Sequence, residues 1–329
     1  MRLKLKARPE SFMFQQSFTQ LPTSELVAHS GVLAVISFEP NCESEVPFGV
    51  VPVGLQSLSG LDKEVLFCGD GPIERGFEKG CYWACCDDVI FVSYTISAER
   101  CGDIENSTYE AYIALYQVLE EKGFAHVFRI WNFMPNINSG EGDGEEYKKF
   151  CVGRGRAFDQ FELDASDFPA TSALGHHGSG AVIYLLASRV SAGTHFENPL
   201  QLSAYAYPRK YGPRKPSFAR ATAIDLYGRK EIFISGTSSI IGHETKAAGD
   251  MRQQLEITLE NIRVLLAHVD ENASPLAAIR VYLRYREDYA AAREFLEARL
   301  PQCNINYLWA EVCRSDLLVE IEAASTSAC

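Results

Sequence analysis

The hydrophobic positions of this chain form a series of strand-like and helix-like patterns that occurs twice. Residues 89–97 (VIFVSYTIS) and residues 231–239 (EIFISGTSS) are β-branched and aromatic runs that predict strands. Apolar residues at helical spacing follow at 107–122 and again at 249–268. The two patterns recur at a constant offset of 142 positions (residue 89 to residue 231), which indicates an internal duplication.

Each copy then continues with a strand, a second helix and two closing strands. The strand, the helix and the last of the closing strands are 125–133, 145–160 and 181–188 in the first copy and 277–285, 287–299 and 318–325 in the second. This order predicts an α+β fold in which mixed β-sheets carry their helices on one face. We assign residues 1–190 to an N-terminal domain and 191–329 to a C-terminal domain.

The C-terminal residues carry the most distinctive chemistry. Two apolar stretches separated by a short polar turn, 306–314 and 317–323, predict a hairpin of buried strands. Alternation in the second strand places Glu320 and Glu322 on one face. A carboxyl that stays protonated in an apolar strand would be a general acid. An edge strand with two solvated glutamates explains this segment equally well.

The two copies differ where this acid stands. Aligning their last strands places Ile183 opposite Glu320 and Tyr94 opposite Gly236. The first copy therefore has an apolar residue in place of the acid and a bulky side chain in place of the glycine. One carboxyl in two copies predicts a single site where the copies meet, with the first copy as its scaffold.

Composition restricts the compartment and the partners. No apolar run approaches the ~20 residues that span a bilayer, so we predict no membrane association. A net charge of −12 argues against nucleic acid as a partner. Residues 1–6 alternate charge and leucine and lack the apolar core of a signal peptide, so we expect a cytoplasmic protein.

No motif for a metal or an organic cofactor is evident. We expect most of the ten cysteines to be free thiols in the cytoplasm. Cys81, Cys85 and Cys86 cluster without a second pair or a histidine at zinc-like spacing, which favours small core residues. The acidic, glycine-rich loop 136–146 fits no calcium-binding spacing, and we expect it to face solvent.

One segment reverses the acidic trend. Residues 201–220 contain five lysines and arginines, no acid, and interleaved tyrosines. Prolines and a glycine make the segment rigid and rich in turns. A concave site that used it would suit a small anionic ring compound, because guanidinium groups bind carboxylates and phenols donate hydrogen bonds. The alternative is a solvated basic loop with structural tyrosines.

The second copy, about 205–325, resembles the RidA-like reactive-intermediate deaminases. The matching segments are YGP at 211–213, IFISG at 232–236, ENI at 260–262, VYLR at 281–284, EV at 311–312 and VEIEA at 319–323. That family contains single-domain proteins that form trimers with ligand clefts between subunits. Its last strand supplies a functional acid, which the resemblance transfers to Glu320. Tyr307 stands where the deaminases have an arginine, which argues against imine deamination.

The whole chain resembles the chorismatase family. Two RidA-like copies are joined by SAYAYPRKYGPRKPSFARA (203–221), and the first contains RIWNFMPNIN (129–138). The resemblance implies two fused RidA-like (chorismate-mutase-like) domains and an enzyme that cleaves chorismate and releases pyruvate without a metal or cofactor. Because two fused copies replace part of a trimer, it leaves open whether the chain is a homo-oligomer.

The resemblance also implies roles for individual residues. Glu320, kept protonated by an apolar wall, delivers its proton to the methylene carbon of the enolpyruvyl group. The two substrate carboxylates are held by Tyr205, Tyr207, Arg209, Tyr211 and Arg220. The alternation of positions 205, 207, 209 and 211 permits one common face.

The step after protonation divides the chorismatase family. Water attack gives a dihydroxycyclohexadiene carboxylate, whereas displacement by the neighbouring ring hydroxyl and aromatisation give 3-hydroxybenzoate, with or without 4-hydroxybenzoate. A cysteine seven residues before the acid and a glycine in the SGT strand mark the aromatising branch, and these are Cys313 and Gly236. Cys313 could equally be a buried small residue, and Gly236 a backbone requirement.

We therefore predict a hydroxybenzoate-forming enzyme whose product feeds pigments, ubiquinone or polyketide starters. The alternatives are the hydrolysing branch of the same family and a non-catalytic module that binds an aromatic carboxylate.

Overall fold

The computed structural model describes residues 14–39, 48–68 and 72–327 of the 329-residue chain. Residues 1–6, whose pattern was interpreted above, lie outside the described part. Within it, no helix is both long and apolar enough to cross a membrane.

The residues before the first copy form a small sheet of their own. The elements are β1 Phe14–Thr19, α1 Thr23–Val27, β2 Val32–Ser37, β3 Val50–Pro52, β4 Gln56–Ser57 and β5 Lys63–Cys68. Four of these strands pair in the order β1-β5-β2-β3. This sheet was not predicted from the sequence.

The first copy folds as one six-stranded sheet with two helices. Its elements are β6 Glu74–Glu78, β7 Cys81–Cys86, β8 Val89–Ile96, α2 Ile104–Lys122, β9 His126–Pro135, α3 Glu146–Gln160, β10 Ala170–His176 and β11 Ala181–Ser188. The strand order is β10-β9-β11-β8-β7-β6, with β9 and β10 parallel. Helix α2 begins where the Asp103 side chain accepts a hydrogen bond from the Asn106 N–H, and it ends at Gly123 in the left-handed region.

The second copy repeats this arrangement. Its elements are β12 Thr194–Phe196, β13 Ala221–Leu226, β14 Arg229–Ser238, β15 Ile240–Ile241, β16 Glu244–Thr245, α4 Met251–Val269, β17 Ala278–Leu283, α5 Tyr289–Arg299, β18 Asn304–Trp309 and β19 Val319–Ser327. The large sheet has the order β12-β13-β14-β19-β17-β18-β4. Without β4, this is the order of the first copy, which confirms the duplication.

The two large sheets face each other, and their helices lie on the outside. Residues of α2 and α3 such as Leu115 and Phe158 pack on one face of the first sheet. The opposite faces of both copies, together with the N-terminal sheet, enclose a shared core that includes Trp131, Tyr184 and Phe233. This arrangement confirms the predicted α+β class with helices on one face of each sheet.

The predicted C-terminal hairpin was wrong. Strand β17 lies between β18 and β19, and it pairs with β18 in parallel and with β19 in antiparallel orientation. Residues 310–318 therefore form a connection across the end of β17 rather than a tight turn. The alternation within β19 was right, because Val319 and Ile321 enter the helix-covered core while Glu322 contacts the first copy.

One cysteine pair also differs from the prediction. Cys68 and Cys86 form a disulfide that joins the N-terminal sheet to β7, so Cys86 is not an unpaired core residue. The two residues meet because β5 and β7 both contribute to the shared core. Cys81 and Cys85 are free and buried, as predicted.

Candidate active site

A cavity of about 200 Å³ lies between the two copies, at the end of β19 that carries Glu320. The first copy contributes Glu145, Tyr147 and Lys148, which stand at the start of α3. The second copy contributes the other lining residues, from the basic segment, β14, β15, the connection before β19 and the start of β19. The cavity therefore lies where the copies meet, as their unequal sequences predicted.

Glu320 is a buried acid in the wall of this cavity. The residue is 4% exposed, and its Oε2 accepts a hydrogen bond from the Ser238 hydroxyl at 3.3 Å. Burial and the nearby charge of Glu322 raise the pKa of Glu320 to about 8. The group is therefore a protonated carboxylic acid at neutral pH and can donate a proton. The alternative of two solvated glutamates was wrong.

Glu322, two residues further along β19, has the opposite charge state. Its Oε2 accepts a hydrogen bond from Arg129 Nη2 at 2.8 Å, and its Oε1 accepts one from Trp131 Nε1 at 2.8 Å. Arg280 Nη1 is 3.2 Å from the same Oε1. Burial alone would raise the pKa of Glu322, but the two guanidinium charges hold it below its ordinary value. This carboxylate is a fixed anion.

Gly236 leaves the space that Glu320 occupies. The pairing of β14 with β19 shifts between Ile234 and Thr237, and the Gly236 N–H donates to the Ser172 hydroxyl of the first copy at 3.0 Å. A Cβ at position 236 would overlap the Glu320 carboxyl. Gly236 is not in the left-handed backbone region. Close approach of the acid, rather than backbone conformation, therefore requires this glycine.

Arg220 is the most buried cation of the cavity. It is 3% exposed, and its Nη2 donates to the Tyr207 hydroxyl and to the Leu202 carbonyl, both at 2.9 Å. Its Nε has no hydrogen-bond partner among the described residues. A buried N–H without a partner is costly, so this atom can be satisfied by an acceptor on a bound molecule.

A stacked group of cations and phenols lies beside Arg220. The guanidinium of Arg314 lies over the Tyr211 ring at 4.2 Å, and the Tyr211 hydroxyl donates to the His243 carbonyl at 2.6 Å. Lys210 Nζ lies 5.1 Å from the same ring. The cavity thus combines several fixed positive charges, phenols and one neutral carboxylic acid.

Several known proteins resemble this chain over most of its length. The family model for "Chorismatase FkbO/Hyg5-like, N-terminal" matches residues 65–187. A 3-hydroxybenzoate synthase from Streptomyces hygroscopicus is 41% identical over 269 residues, which cover 77% of this chain and 78% of that protein. The chain belongs to the chorismatase family.

Further chorismatases agree with this assignment. One from Streptomyces rapamycinicus is 36% identical over 266 residues, which cover 77% of this chain and 79% of that protein. A chorismatase crystal structure is 30% identical, has a TM-score of 0.86, and covers 97% of this chain and 100% of its own. The chain therefore has the chorismatase fold over nearly all of its length.

The cavity is lined by most, but not all, of the predicted site residues. Those that line it are Glu320, Cys313, Tyr207, Tyr211, Arg220 and Gly236. Tyr205 instead packs against Phe168 of the first copy, with ring centroids 6.1 Å apart. Arg209 is exposed and forms an ion pair with Asp143. The structure therefore does not bring Tyr205 and Arg209 to the cavity.

Their predicted common face was wrong for a local reason. Residues 204–206 and 209–211 form two short 3₁₀ turns, and Pro208 lies between them. In turns of this kind, side chains do not alternate as they do in a strand. Tyr207 and Tyr211 therefore reach the cavity together, whereas positions 205 and 209 point away from it.

Other lining residues were not predicted. Glu145 belongs to the loop that was expected to face solvent, and Tyr147 and Lys148 follow it directly. Nothing in the sequence distinguishes Lys148 from a surface lysine. Arg314 could have been predicted as a lining residue, because it follows Cys313 immediately and precedes the strand that carries Glu320.

Cys313 remains a thiol in this site. It packs with Ile240, Val312 and Leu317, and burial followed by the charge of Glu320 raises its pKa to about 12. At neutral pH it is not a thiolate nucleophile. It supplies volume and a weak S–H donor beside the acid.

No group of three or more His, Cys, Asp or Glu in the described ranges is arranged to hold a metal ion.

Proposed function

We propose that this protein cleaves chorismate to pyruvate and 3-hydroxybenzoate. The observation that carries the proposal is Glu320, a buried carboxyl that is neutral at pH 7 and lines a cavity rich in cations. The 41% identity to a protein named 3-hydroxybenzoate synthase supports the aromatic product.

The charges of the cavity suit a dianionic ring compound. Chorismate carries a ring carboxylate, an enolpyruvyl carboxylate and a ring hydroxyl. Among the described residues, the lining has two guanidinium groups: Arg220, whose Nε has no hydrogen-bond partner there, and Arg314, which is stacked on Tyr211. Lys148 and Lys210 add positive charge at the first-copy side and at the mouth. We assign one carboxylate to each guanidinium, because planar forks bind carboxylates well.

Glu320 performs the first chemical step. Its proton adds to the methylene carbon of the enolpyruvyl ether, which becomes an oxocarbenium ion, and the carbon–oxygen bond to the ring weakens. Glu320 is left as a carboxylate. Binding both substrate carboxylates fixes the methylene near the acid, and such positioning contributes much of the rate in enzymes.

The second step releases pyruvate without water. The neighbouring ring hydroxyl attacks the ring carbon as the ether bond breaks, and its proton returns to the Glu320 carboxylate. The epoxide that forms opens and loses a ring hydrogen as a proton to give 3-hydroxybenzoate, while opening in the other direction gives 4-hydroxybenzoate. The sum is one chorismate to one pyruvate and one hydroxybenzoate, with no net proton or water consumed.

Cys313 and Gly236 influence which step follows protonation. Gly236 lets the Glu320 carboxyl stand against β14, and Cys313 fills the wall on the Glu320 side. A well-filled wall leaves little room for a water molecule next to the reacting carbon. This favours attack by the ring hydroxyl over hydrolysis.

Incubation of the purified protein with chorismate in ¹⁸O-labelled water tests the proposal. We expect pyruvate, measured with lactate dehydrogenase, in equal amount to unlabelled 3-hydroxybenzoate, measured by chromatography and mass spectrometry. A non-aromatic diol would assign the protein to the hydrolysing branch whether or not it carries the label, because water that adds to the oxocarbenium carbon leaves its oxygen in pyruvate. Binding of chorismate without pyruvate release would assign it a non-catalytic role.

A further inference from the structure

Residues 208–216 (PRKYGPRKP), here called the strap, form one wall of the cavity and lie on the protein surface. Lys210, Tyr211 and Pro216 of the strap line the cavity. Prolines at both ends limit its flexing, and Gly212 has a φ of 140°, a value that side chains rarely permit. The strap belongs to the second copy but is attached to both copies.

The first attachment to the first copy is an ion pair at the N-terminal half of the strap. Arg209 Nη1 and Nη2 donate to the two carboxylate oxygens of Asp143 at 2.9 and 2.6 Å. Asp143 lies in the loop just before α3, two residues before the cavity residue Glu145. Both side chains are more than half exposed, at 65% and 55%.

The second attachment has the same geometry at the other half of the strap. Arg214 Nη1 and Nη2 donate to the Asp159 carboxylate at 2.9 and 2.6 Å. Asp159 lies near the end of α3, and Gly155 of the same helix is so close to Arg214 that a Cβ there would overlap it. Two bidentate pairs therefore join the strap to the first copy on either side of Tyr211.

The attachments to the second copy are of another kind. The Tyr211 hydroxyl binds the His243 carbonyl, and Tyr207, just before the strap, binds the buried Arg220. Exposed ion pairs are weak because water and salt compete for them, whereas buried hydrogen bonds are not so easily exchanged. The strap therefore separates from the first copy more easily than from the second.

We propose that Asp143 and Asp159 are positioning residues that hold the strap closed over the cavity through Arg209 and Arg214. Substrate enters and product leaves when the two exposed ion pairs break and the strap moves away from α3. Closure then places Lys210 and Tyr211 beside the bound anion. The effect on substrate binding rests on the proposed chorismate cleavage, whereas strap opening itself does not.

Trypsin cleavage measures opening without reference to any substrate. Lys210 is exposed and is followed by Tyr211, so trypsin can cut between them once the strap is mobile, whereas the Lys215–Pro216 bond resists it. In D143N/D159N we expect cleavage after Lys210 about tenfold faster than in the wild type at low ionic strength, since two weak pairs are lost. High salt should bring the wild-type rate close to that of the variant.

The matched control is E260Q, which breaks a bidentate Arg263–Glu260 pair within helix α4 that does not join the copies. Its trypsin cleavage should equal that of the wild type. Equal cleavage in wild type and D143N/D159N would overturn the proposal.

Steady-state kinetics tests the positioning role. D143N/D159N should raise KM for chorismate about tenfold with kcat within twofold, and R209Q/D143N should have the same KM as D143N alone because both lack the same pair. Faster cleavage with an unchanged KM would overturn the positioning role. If neither the wild type nor the variant consumes chorismate while cleavage still differs, the proposed function fails and the closure of the strap stands.

Discussion

Two glutamates at the interface between the copies have opposite charge states. Glu320 and Glu322 lie on one face of β19, and both are nearly inaccessible to water. Glu322 does not line the cavity. It contacts the guanidinium groups of Arg129 and Arg280, accepts a hydrogen bond from the Trp131 indole N–H, and is an anion. At the cavity end, Glu320 has one hydroxyl partner and is neutral.

The difference shows that the first copy is more than a scaffold. Arg129 and Trp131 of β9 stabilise the charge of Glu322, and the resulting anion in turn disfavours ionisation of Glu320. The negative charge of Glu322 thus helps to keep Glu320 neutral and able to protonate carbon. The following variants break or sharpen this comparison.

The largest effect is expected for E320Q. Glutamine has the shape and the zero charge of protonated glutamate but cannot donate an acidic proton, so kcat for pyruvate release should fall on the order of 10³-fold or more. The Kd for chorismate should stay within about threefold of the wild type. A matched control is E231Q, since Glu231 is also buried, with a pKa raised by burial to about 7, but lies outside the cavity lining. Wild-type turnover by E320Q would remove Glu320 from the mechanism.

E322Q should affect the stability of the fold more than the rate of the reaction. The substitution removes the negative charge that the buried Arg129 and Arg280 contact. Removing one partner of a buried ion pair lowers the free energy of unfolding by about 3–5 kcal/mol. Chemical denaturation measures this loss. Replacing Arg129 as well, in R129M/E322L, should recover part of it, because Arg280 keeps its ion pair with Glu64 and no unpaired charge remains. An E322Q protein as stable as the wild type would contradict the role of Glu322 as a structural anion.

The pH dependence of kcat/KM should report the ionisation of Glu320. Because Glu320 acts in its protonated form and its pKa is about 8, kcat/KM should be constant near pH 6–7 and fall tenfold per unit well above pH 8. Removing the Glu322 anion should move this fall to lower pH, provided the variant is assayed where it is folded. A profile that rises with pH through 8 would mean that Glu320 acts as a base.

The smallest effect is expected for C313A. Loss of the sulfur leaves room beside Glu320, so the fraction of hydrolysed diol or of 4-hydroxybenzoate should increase while total chorismate consumption changes by less than about threefold. C303A is a suitable control, because Cys303 is another thiol whose pKa burial raises to about 12, but it does not line the cavity. An unchanged product ratio would make Cys313 a packing residue only.

Periodicity was sufficient to predict the duplicated units and the common face of Glu320 and Glu322, whereas the choice of Glu320 as the acid came from the resemblance to known families. The helices α2 to α5 and the alternation in β19 depend on local spacing of apolar residues, which the chain displays directly. The N-terminal sheet escaped prediction because no second copy repeats its pattern. The hairpin was mispredicted because two neighbouring apolar runs look alike whether they pair with each other or, as here, both pair with β17.

Residue types alone could not distinguish the cations that line the cavity from those that hold the strap over it. Arg209 and Arg220 occur in the same basic segment, yet one lies on the surface against Asp143 and the other is buried beside Tyr207. The 3₁₀ turns and prolines that separate them decide this, and turn geometry has no simple period.

The sequence by itself determined the duplicated architecture, the family and the position of the acid, because these follow from local patterns and motif identity. Only the tertiary structure decided which glutamate is charged and which cations reach the cavity. Those properties depend on side chains brought from the other copy, such as Arg129 opposite Glu322, and charge interactions act through space rather than along the chain.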